Sequence, residues 1–435
     1  MILEGFRHDH YVAWRGLWRA KGFSATAVLT LALGIAGTTV MFTLIQGVLL
    51  RPLPMRDQDR LIVAWKELRS SGYAHYPFGD KEIEAAGEGS RLLERVAGVT
   101  SNGAYRWVVV ENGGSDYARG ALVTGGFFDV LGVQPILGRA FTRADDEPGA
   151  EDVLVISHGL WQRRYGGSRD VIGRRVALNE RPFTIVGVMP PDIDYPAGTE
   201  VWRTTRSVPT GGPFGDAAQR EVDLIARLRP GVTVSQAASE LTTLTRQYEA
   251  TTPGVARGLI PVVHALEEVV VGSVRPALVV LLAAVALVLL IASANVANLL
   301  LMRGEARRTE VAVRQALGAA RARVVRQLML ESLVLTLAAA GVGLVLTWWS
   351  LDALIALVPD GLPRVESVRI DSIVVLFTAA VALGTSMLAG VLPALWSVRA
   401  DLVSQLRDGG RGSSGPAVRR GRRALVVAQV ALAVT

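Results

Sequence analysis

The sequence predicts an α-helical transmembrane bundle, one N-terminal span and then three, with an inserted two-lobed α/β (α+β) domain on the extracytoplasmic side. Three observations predict it. Four apolar runs, at 24–50, 276–302, 327–350 and 372–396, each exceed the roughly 18 residues that carry a helix across a bilayer. A polar stretch of about 220 residues separates the first run from the second, long enough to bury a core of its own. Arginines gather beside particular runs rather than along the whole chain.

Residues 1–23 form an amphipathic segment carrying Arg7, Arg15, Arg19 and Lys21. The run at 24–50 is longer than a signal-peptide core. Arg51-Pro52-Leu53-Pro54 follows it without a small-x-small cleavage site, so it reads as a retained anchor. Half of all residues are hydrophobic and the net charge is +7. That charge would suit nucleic acid, but its placement beside the spans reads as topology, and no nucleic-acid partner is expected. There is no cysteine, which excludes disulfides and thiolate metal sites. Lysine occurs only at Lys21, Lys66 and Lys81.

Orientation follows from the later loops. Arg303, Arg307, Arg308, Arg314, Arg321, Arg323 and Arg326 lie in the segment 303–326. A second arginine-rich linker, 397–423, contains Arg399, Arg407, Arg411, Arg419, Arg420, Arg422 and Arg423. The loop between the third and fourth spans has only Arg364 and Arg369. The positive-inside rule then puts both rich segments and the N-terminus in the cytoplasm, and residues 51–273 outside the cell membrane. Residues 424–435 open a fifth apolar run that stops short of spanning length, read as the truncated start of a further segment or as an interfacial tail.

The external stretch mixes both periodicities. Strands are expected at Leu61–Trp65, Trp107–Val110, Val153–Ile156, Phe183–Val188 and Leu224–Leu228. Short helices are expected at Phe127–Leu131 and Leu160–Tyr165, and a hairpin turn at Asn179-Glu180. After Arg229-Pro230-Gly231, Thr233 caps a helix through about Tyr248, with Gln236 at the capping-box position.

Chemistry is sparse. His8, His10, His75, His158 and His264 are scattered, and His264-Ala-Leu-Glu-Glu lacks the second histidine of a metallopeptidase helix. Gly412-Ser413-Ser414-Gly415 has the wrong spacing for a nucleophile elbow. Asp145-Asp146-Glu147 reads as a solvated turn rather than a cation site. None of the three lysines sits in the Gly-Lys-Ser/Thr context that wraps nucleotide phosphates. The reading is therefore of a non-enzyme without cofactor or metal. No ionisable residue occupies the middle of a span, against an ion-driven carrier, and Glu331 lies near one end of the third, within reach of the interface. Asn295 and Asn298 share one face of the second span beside Ser293, Ala294 and Ala297. Helix packing through these small and amide residues is the favoured reading, with substrate contact the other.

The most specific stretch is Arg307-Arg308-Thr309-Glu310-Val311-Ala312-Val313-Arg314-Gln315-Ala316-Leu317-Gly318-Ala319. Val313, Ala316 and Leu317 fall on one helical face, Glu310 and Arg314 pair at i,i+4, and Gly318 marks a bend. An ordinary helix lying on anionic lipid would look similar. This segment resembles the loop after the second span in FtsX-like permeases, the membrane subunits of macrolide-exporter-type ABC systems. Ala32-Leu33-Gly34-Ile35 and Leu49-Leu50-Arg51-Pro52-Leu53-Pro54 resemble the opening of MacB-like permeases. Gly125–Val133, Leu137-Gly138-Arg139 and Ile185–Pro190 resemble their periplasmic core domain, and Ala294–Leu301 their second span. The orphan branch with two fused permease units is the nearest likeness, of which this chain would be the N-terminal half.

The resemblance implies an ABC-type permease for efflux or export, working by mechanotransmission. A separate cytoplasmic ATPase dimer would dock on a coupling segment that includes Arg307, Arg308, Glu310, Val313, Arg314, Leu317 and Gly318, and ATP hydrolysis would reshape the external domain. Expected partners are that ATPase, a second permease unit (a homodimer or a fused half), membrane lipids and a periplasmic protein. The alternative is an FtsX-like scaffold that recruits or regulates an extracytoplasmic partner without transport. The sequence departs from the macrolide exporter in having no fused nucleotide-binding domain.

Overall fold

A computed structural model describes residues 21–68, 73–100, 105–111, 114–191, 193, 195–207, 220–255, 257–272, 274–306, 321–357 and 368–399. They divide into two compact units, one of long helices and one of mixed α/β structure formed by the stretch between the first and second spans.

In the helical unit, α1 covers Lys21–Ile45 and passes into a π-helical turn, Gln46–Leu50. Among the described residues, four helices are long and apolar enough to cross a membrane, this one among them. The other three are α7 (Arg275–Ala306), α8 (Arg321–Leu357) and α9 (Ser372–Arg399). Each outlasts the apolar run that predicted it, because polar and basic residues continue the helix beyond the hydrocarbon-length window. Their shared core is built from small residues and leucines: Ala27, Leu31 and Ala32 from α1, Leu289 and Ala297 from α7, Leu335 and Ala339 from α8, Ala382 and Ala389 from α9. Glu331, expected within reach of the interface, is buried.

The α/β unit contains thirteen strands among the described residues: β1 Leu61–Leu68, β2 Tyr73–Tyr76, β3 Phe78–Gly79, β4 Leu93–Val99, β5 Tyr105–Glu111, β6 Gly114–Val123, β7 Leu137–Gly138, β8 Val153–Ile156, β9 Arg175–Leu178, β10 Arg181–Val188, β11 Val201–Thr204, β12 Glu221–Leu228 and β13 Ile260–Ala265. Helices α2 (Asp80–Gly89), α3 (Phe127–Leu131), α4 (His158–Tyr165), α5 (Val234–Thr251) and α6 (Leu266–Val271) punctuate them.

The pairings make two lobes, as expected. In the first, β4, β12, β1 and β13 form an antiparallel sheet in that order. Helices α2 and α5 cover one of its faces, where Ile83, Ala86, Ala237 and Leu241 meet Ile62, Ala64, Leu224 and Ala226. Strand β12 is buried along almost its whole length, which explains why it reads as a run rather than an alternation. In the second lobe, β11 pairs with both β8 and β6, so β6, β5, β9, β10, β8 and β11 close into a six-stranded ring. The ring's interior is filled by Trp107, Val109, Leu122, Leu154, Ile156, Val176, Leu178, Phe183, Ile185 and Val201. Its outer side supplies Ala121, Val123, Val153, Val155 and Trp202 to a central layer shared with Val63, Val99 and Ile225 of the first lobe and with Phe127 and Phe128 of α3.

Local signals explain several elements. Asn179 and Glu180 both adopt positive φ (48° and 70°), the type I′ geometry whose twist matches the β9–β10 hairpin. Thr233 and Gln236 form the expected capping box at the start of α5. Gly120 has a purely steric reason: a Cβ there would lie 1.9 Å from the Trp107 ring, which lies against the strand.

Candidate coupling site: helix seams and strand exits

The helical unit is held by three kinds of seam. Along α1 and α9 the contacts form a ladder at helical spacing. Thr39 and Thr378 hydroxyls meet at 3.2 Å, Phe42 and Phe377 stack with centroids 3.8 Å apart, and Gln46 Nε2 donates to Asp371 Oδ2 at 2.8 Å. Asp371 also caps α9, its Oδ1 accepting from the backbone N–H groups of Ile373 (3.0 Å) and Val374 (3.1 Å). The last rung thus joins the start of α9 to the residue where α1 becomes π-helical, a local widening that often marks functional positions.

Small residues make the other seams. A Cβ on Gly343 of α8 would lie 3.3 Å from the Ala32 carbonyl of α1, and the Thr347 hydroxyl lies 2.9 Å from Gly343 O and 3.4 Å from Ala36 O. Gly34 and Gly37 admit Leu289 and Val285 of α7 equally closely. Between α8 and α9, Ser332 Oγ donates to the Ser386 carbonyl at 3.0 Å. Close backbones and hydroxyl bridges of this kind replace the hydrophobic driving force that lipid does not supply.

The α/β unit welds both of its chain exits into its core. On the entry side Leu53 is buried in the central layer, Arg56 N donates to Leu131 O (3.2 Å) and Arg60 Nε to Leu228 O (2.8 Å). Arg227, 4 % exposed, donates from Nε and Nη2 to Val130 O at 3.0 and 2.7 Å. Burial and neighbouring Arg60 push its pKa down, with Asp57 opposing. On the exit side β13 runs antiparallel to β1, with Ile62 opposite Ala265 and Glu67 opposite Ile260. Helix α6 follows at once, burying Leu266 and packing Val269 and Val270 on the same central layer. The Trp65 indole is sandwiched between the imidazoles of His75 (4.7 Å) and His264 (4.8 Å), and His75 Nε2 lies 2.9 Å from Asp223 Oδ1. The strand that begins after the first span and the strand that ends before the second are therefore ladder partners.

Of the residues singled out from sequence, Arg307, Arg308, Glu310, Val313, Arg314, Leu317 and Gly318 lie outside the described residues. Asn295 is exposed on α7, while the Asn298 side-chain oxygen is buried without a hydrogen-bond partner. Between them Val296 and Ala297 enter the helical core. Gln46 and Asp371 were not singled out. The available signal was an aspartate one residue ahead of the fourth apolar run, the N-cap position.

Comparison with known proteins gives two family matches. Residues 24–244, just over half of the chain, match the MacB-like periplasmic core domain, and residues 282–402 match the FtsX-like permease C-terminal domain. The chain is 24 % identical over 415 residues to the "Pyoverdine export ATP-binding/permease protein PvdT" of Pseudomonas syringae pv. tomato, a match covering 91 % of this chain and 58 % of that protein. It is 27 % identical over 236 residues to the "Macrolide export ATP-binding/permease protein MacB" of Burkholderia thailandensis, covering 52 % and 34 % respectively. This chain thus spans less than two thirds of the length of the curated relatives it matches. Among solved structures, the periplasmic region of MacB from Actinobacillus actinomycetemcomitans matches with a TM-score of 0.39 and 15 % identity, over 53 % of this chain and 95 % of that one. The extracellular domain of the noncanonic ABC-type transporter YknZ matches with a TM-score of 0.35 and 14 % identity, over 45 % and 97 %. The chain belongs to the FtsX-like permease family that carries a MacB-like periplasmic core domain.

Proposed function

We propose that the chain is the permease subunit of an ABC-type export complex in which a separate cytoplasmic ATPase moves the spans and the spans reshape the periplasmic domain. The observation that carries this reading is the pairing of β1 with β13, which ties the first and second spans to adjacent strands of one buried sheet. Each tether is short and packed: Leu53 on one side and Leu266 on the other lie in the same core layer. These packed exits support a reading in which displacement of a helix end would reach the domain. The α1–α9 ladder, ending at Gln46 and Asp371, would hold the first and fourth spans as one moving piece.

In this scheme the N-terminus and the arginine-rich segment 303–326 face the cytoplasm. The ATPase docks on that segment through Arg307, Arg308, Glu310, Val313, Arg314, Leu317 and Gly318, and a second permease unit completes the assembly. The names of the curated relatives join an ATP-binding part and a permease part, which supports an ATP-driven role for this permease. The cargo leaves from the periplasmic side. Co-purification from membranes tests the reading. An ABC ATPase is expected to be retained, and charge reversal at Arg308 and Arg314 is expected to release it. A membrane fraction that never holds an ATPase refutes the proposal.

A further inference from the structure

Asp145-Asp146-Glu147, expected as a solvated turn, folds inward instead. Asp145 is buried and Asp146 half-buried, on a 3-10 turn (Arg143–Asp146) between β7 and β8. The turn lies where the two lobes meet. Gly125, on the approach to α3, runs so close to it that a Cβ there would lie 2.1 Å from Thr142 O. On the ring side Arg206, just past β11, donates from Nε to Asp145 O (3.3 Å) and from Nη2 to Ala150 O (2.6 Å) and Asp152 Oδ1 (2.8 Å). On the sheet side Arg220, just ahead of β12, donates from Nη1 to Asp80 Oδ2 at the start of α2 (3.1 Å) and from Nη2 to Arg206 O (3.4 Å). Arg220 thus joins a carboxylate of the first lobe to a carbonyl of the second, with Asp146 in electrostatic range of both Arg220 and Asp80.

The two adjacent aspartates are served very differently. Asp145 accepts from Arg139 Nη1 (2.7 Å) and Nη2 (2.9 Å), and from the Thr142 backbone N–H (2.7 Å) and hydroxyl (2.9 Å). Burial works against its charge, but the bonds from Arg139 and Thr142 prevail and hold its carboxyl below the ordinary value. Asp146 has one bond, from the Gly125 backbone N–H to Oδ2, and its Oδ1 is buried with no hydrogen-bond partner. Burial raises its carboxyl to about 6, against the Gly125 bond and Arg220, with Asp145 and Asp80 adding to the rise. A seated turn therefore prefers a neutral Asp146, whereas a turn swung into water would let the carboxylate ionise at its ordinary 3.8. Protonation and seating are linked, and each favours the other.

We propose that Asp146 is a proton-operated latch between the two lobes: neutral, it keeps the Arg143–Asp146 turn seated against Gly125, and ionised, it lets the turn leave and the junction loosen. The latch does not depend on how the spans are driven. It is tested by hydrogen–deuterium exchange of the full chain in phosphatidylcholine nanodiscs, read by mass spectrometry, with each rate divided by the intrinsic rate at the same pH. Protection of segments 125–131 and 142–147 is expected to fall by at least about tenfold between pH 4 and pH 7, while the β9–β10 hairpin keeps its own level. Asp146→Asn retains an acceptor for Gly125 and never ionises, so both segments should then hold one level of protection across that range. The profile of the unaltered chain decides the matter even if the variant folds poorly. Flat protection in the unaltered chain, an equal fall in the hairpin, or the same fall in Asp146→Asn overturns the proposal.

Discussion

Lys66→Met should unfold the periplasmic domain far more easily, and Lys66→Met/Glu82→Leu should restore most of the loss. Lys66 Nζ and Glu82 Oε2 are 2.5 Å apart with both side chains 6 % exposed, beneath the helix-covered face of the first lobe. The ammonium also lies 4.8 Å from the Phe78 ring centre and 5.6 Å from that of Tyr76. Glu82 Oε1 has no hydrogen-bond partner, so the ammonium carries the compensation for that carboxylate. Removing one member of a buried pair strands the other and costs about 3–5 kcal/mol, whereas replacing both by apolar groups is often nearly neutral. For a domain of this size about 1 kcal/mol shifts Tm by roughly 2–4 °C, so the single variant should lose roughly 6–20 °C. Thermal unfolding of the nanodisc-held chain, followed by tryptophan fluorescence, measures this. A single variant within about 2 °C of the parent, or a double variant no better than the single, would refute the reasoning.

Other outcomes follow from the same structure. Gly120→Ala should destabilise the ring by at least ~1–3 kcal/mol, because its methyl group would overlap the Trp107 ring, and near-ultraviolet circular dichroism should report the displaced indole. Glu180→Gly should stabilise the domain by ~1 kcal/mol by relieving a positive φ in the type I′ turn, measurable as a raised denaturation midpoint. Burial pushes the Asp146 carboxyl up to about 6, above its ordinary 3.8. That raised value favours the fold fully below the ordinary pKa, and the contribution fades as pH rises through about 6. Asp146→Asn should therefore flatten the decline in stability between pH 4 and pH 6 and leave the variant the more stable at pH 7. Asp371→Asn retains the cap but weakens the charge-assisted bond to Gln46, and under the proposed ATP-driven mechanism should reduce export more than it reduces folding, as judged by comparing export with nanodisc Tm.

Much of the architecture was legible because its signals are local. Spans declare themselves by apolar length, α5 by Thr233 and Gln236, and the β9–β10 hairpin by Asn179-Glu180. What escaped depends on distant partners. Strand β6 begins Gly114-Ser115-Asp116-Tyr117, an exposed arm with little apolar content, and is buried without a break only from Gly120 on, where it meets β11, more than 80 residues away. Strand β13 contains Pro261, and β4 opens with Leu93-Glu94-Arg95, so neither alternates cleanly. Ring closure exists only through that non-local pairing. The Gln46–Asp371 rung joins residues 325 apart for the same reason. An amide at one helix end acquires meaning from a cap elsewhere.

Adjacent strand exits also give the globular part the character of a graft. Because β1 and β13 are neighbours, its two attachment points to the rest of the polypeptide leave from one place, as in domains that tolerate insertion into a host chain. The host helices can keep their own packing whichever head they bear. Exchanging the whole cassette between relatives should thus leave both the transplanted domain and the receiving helices folded.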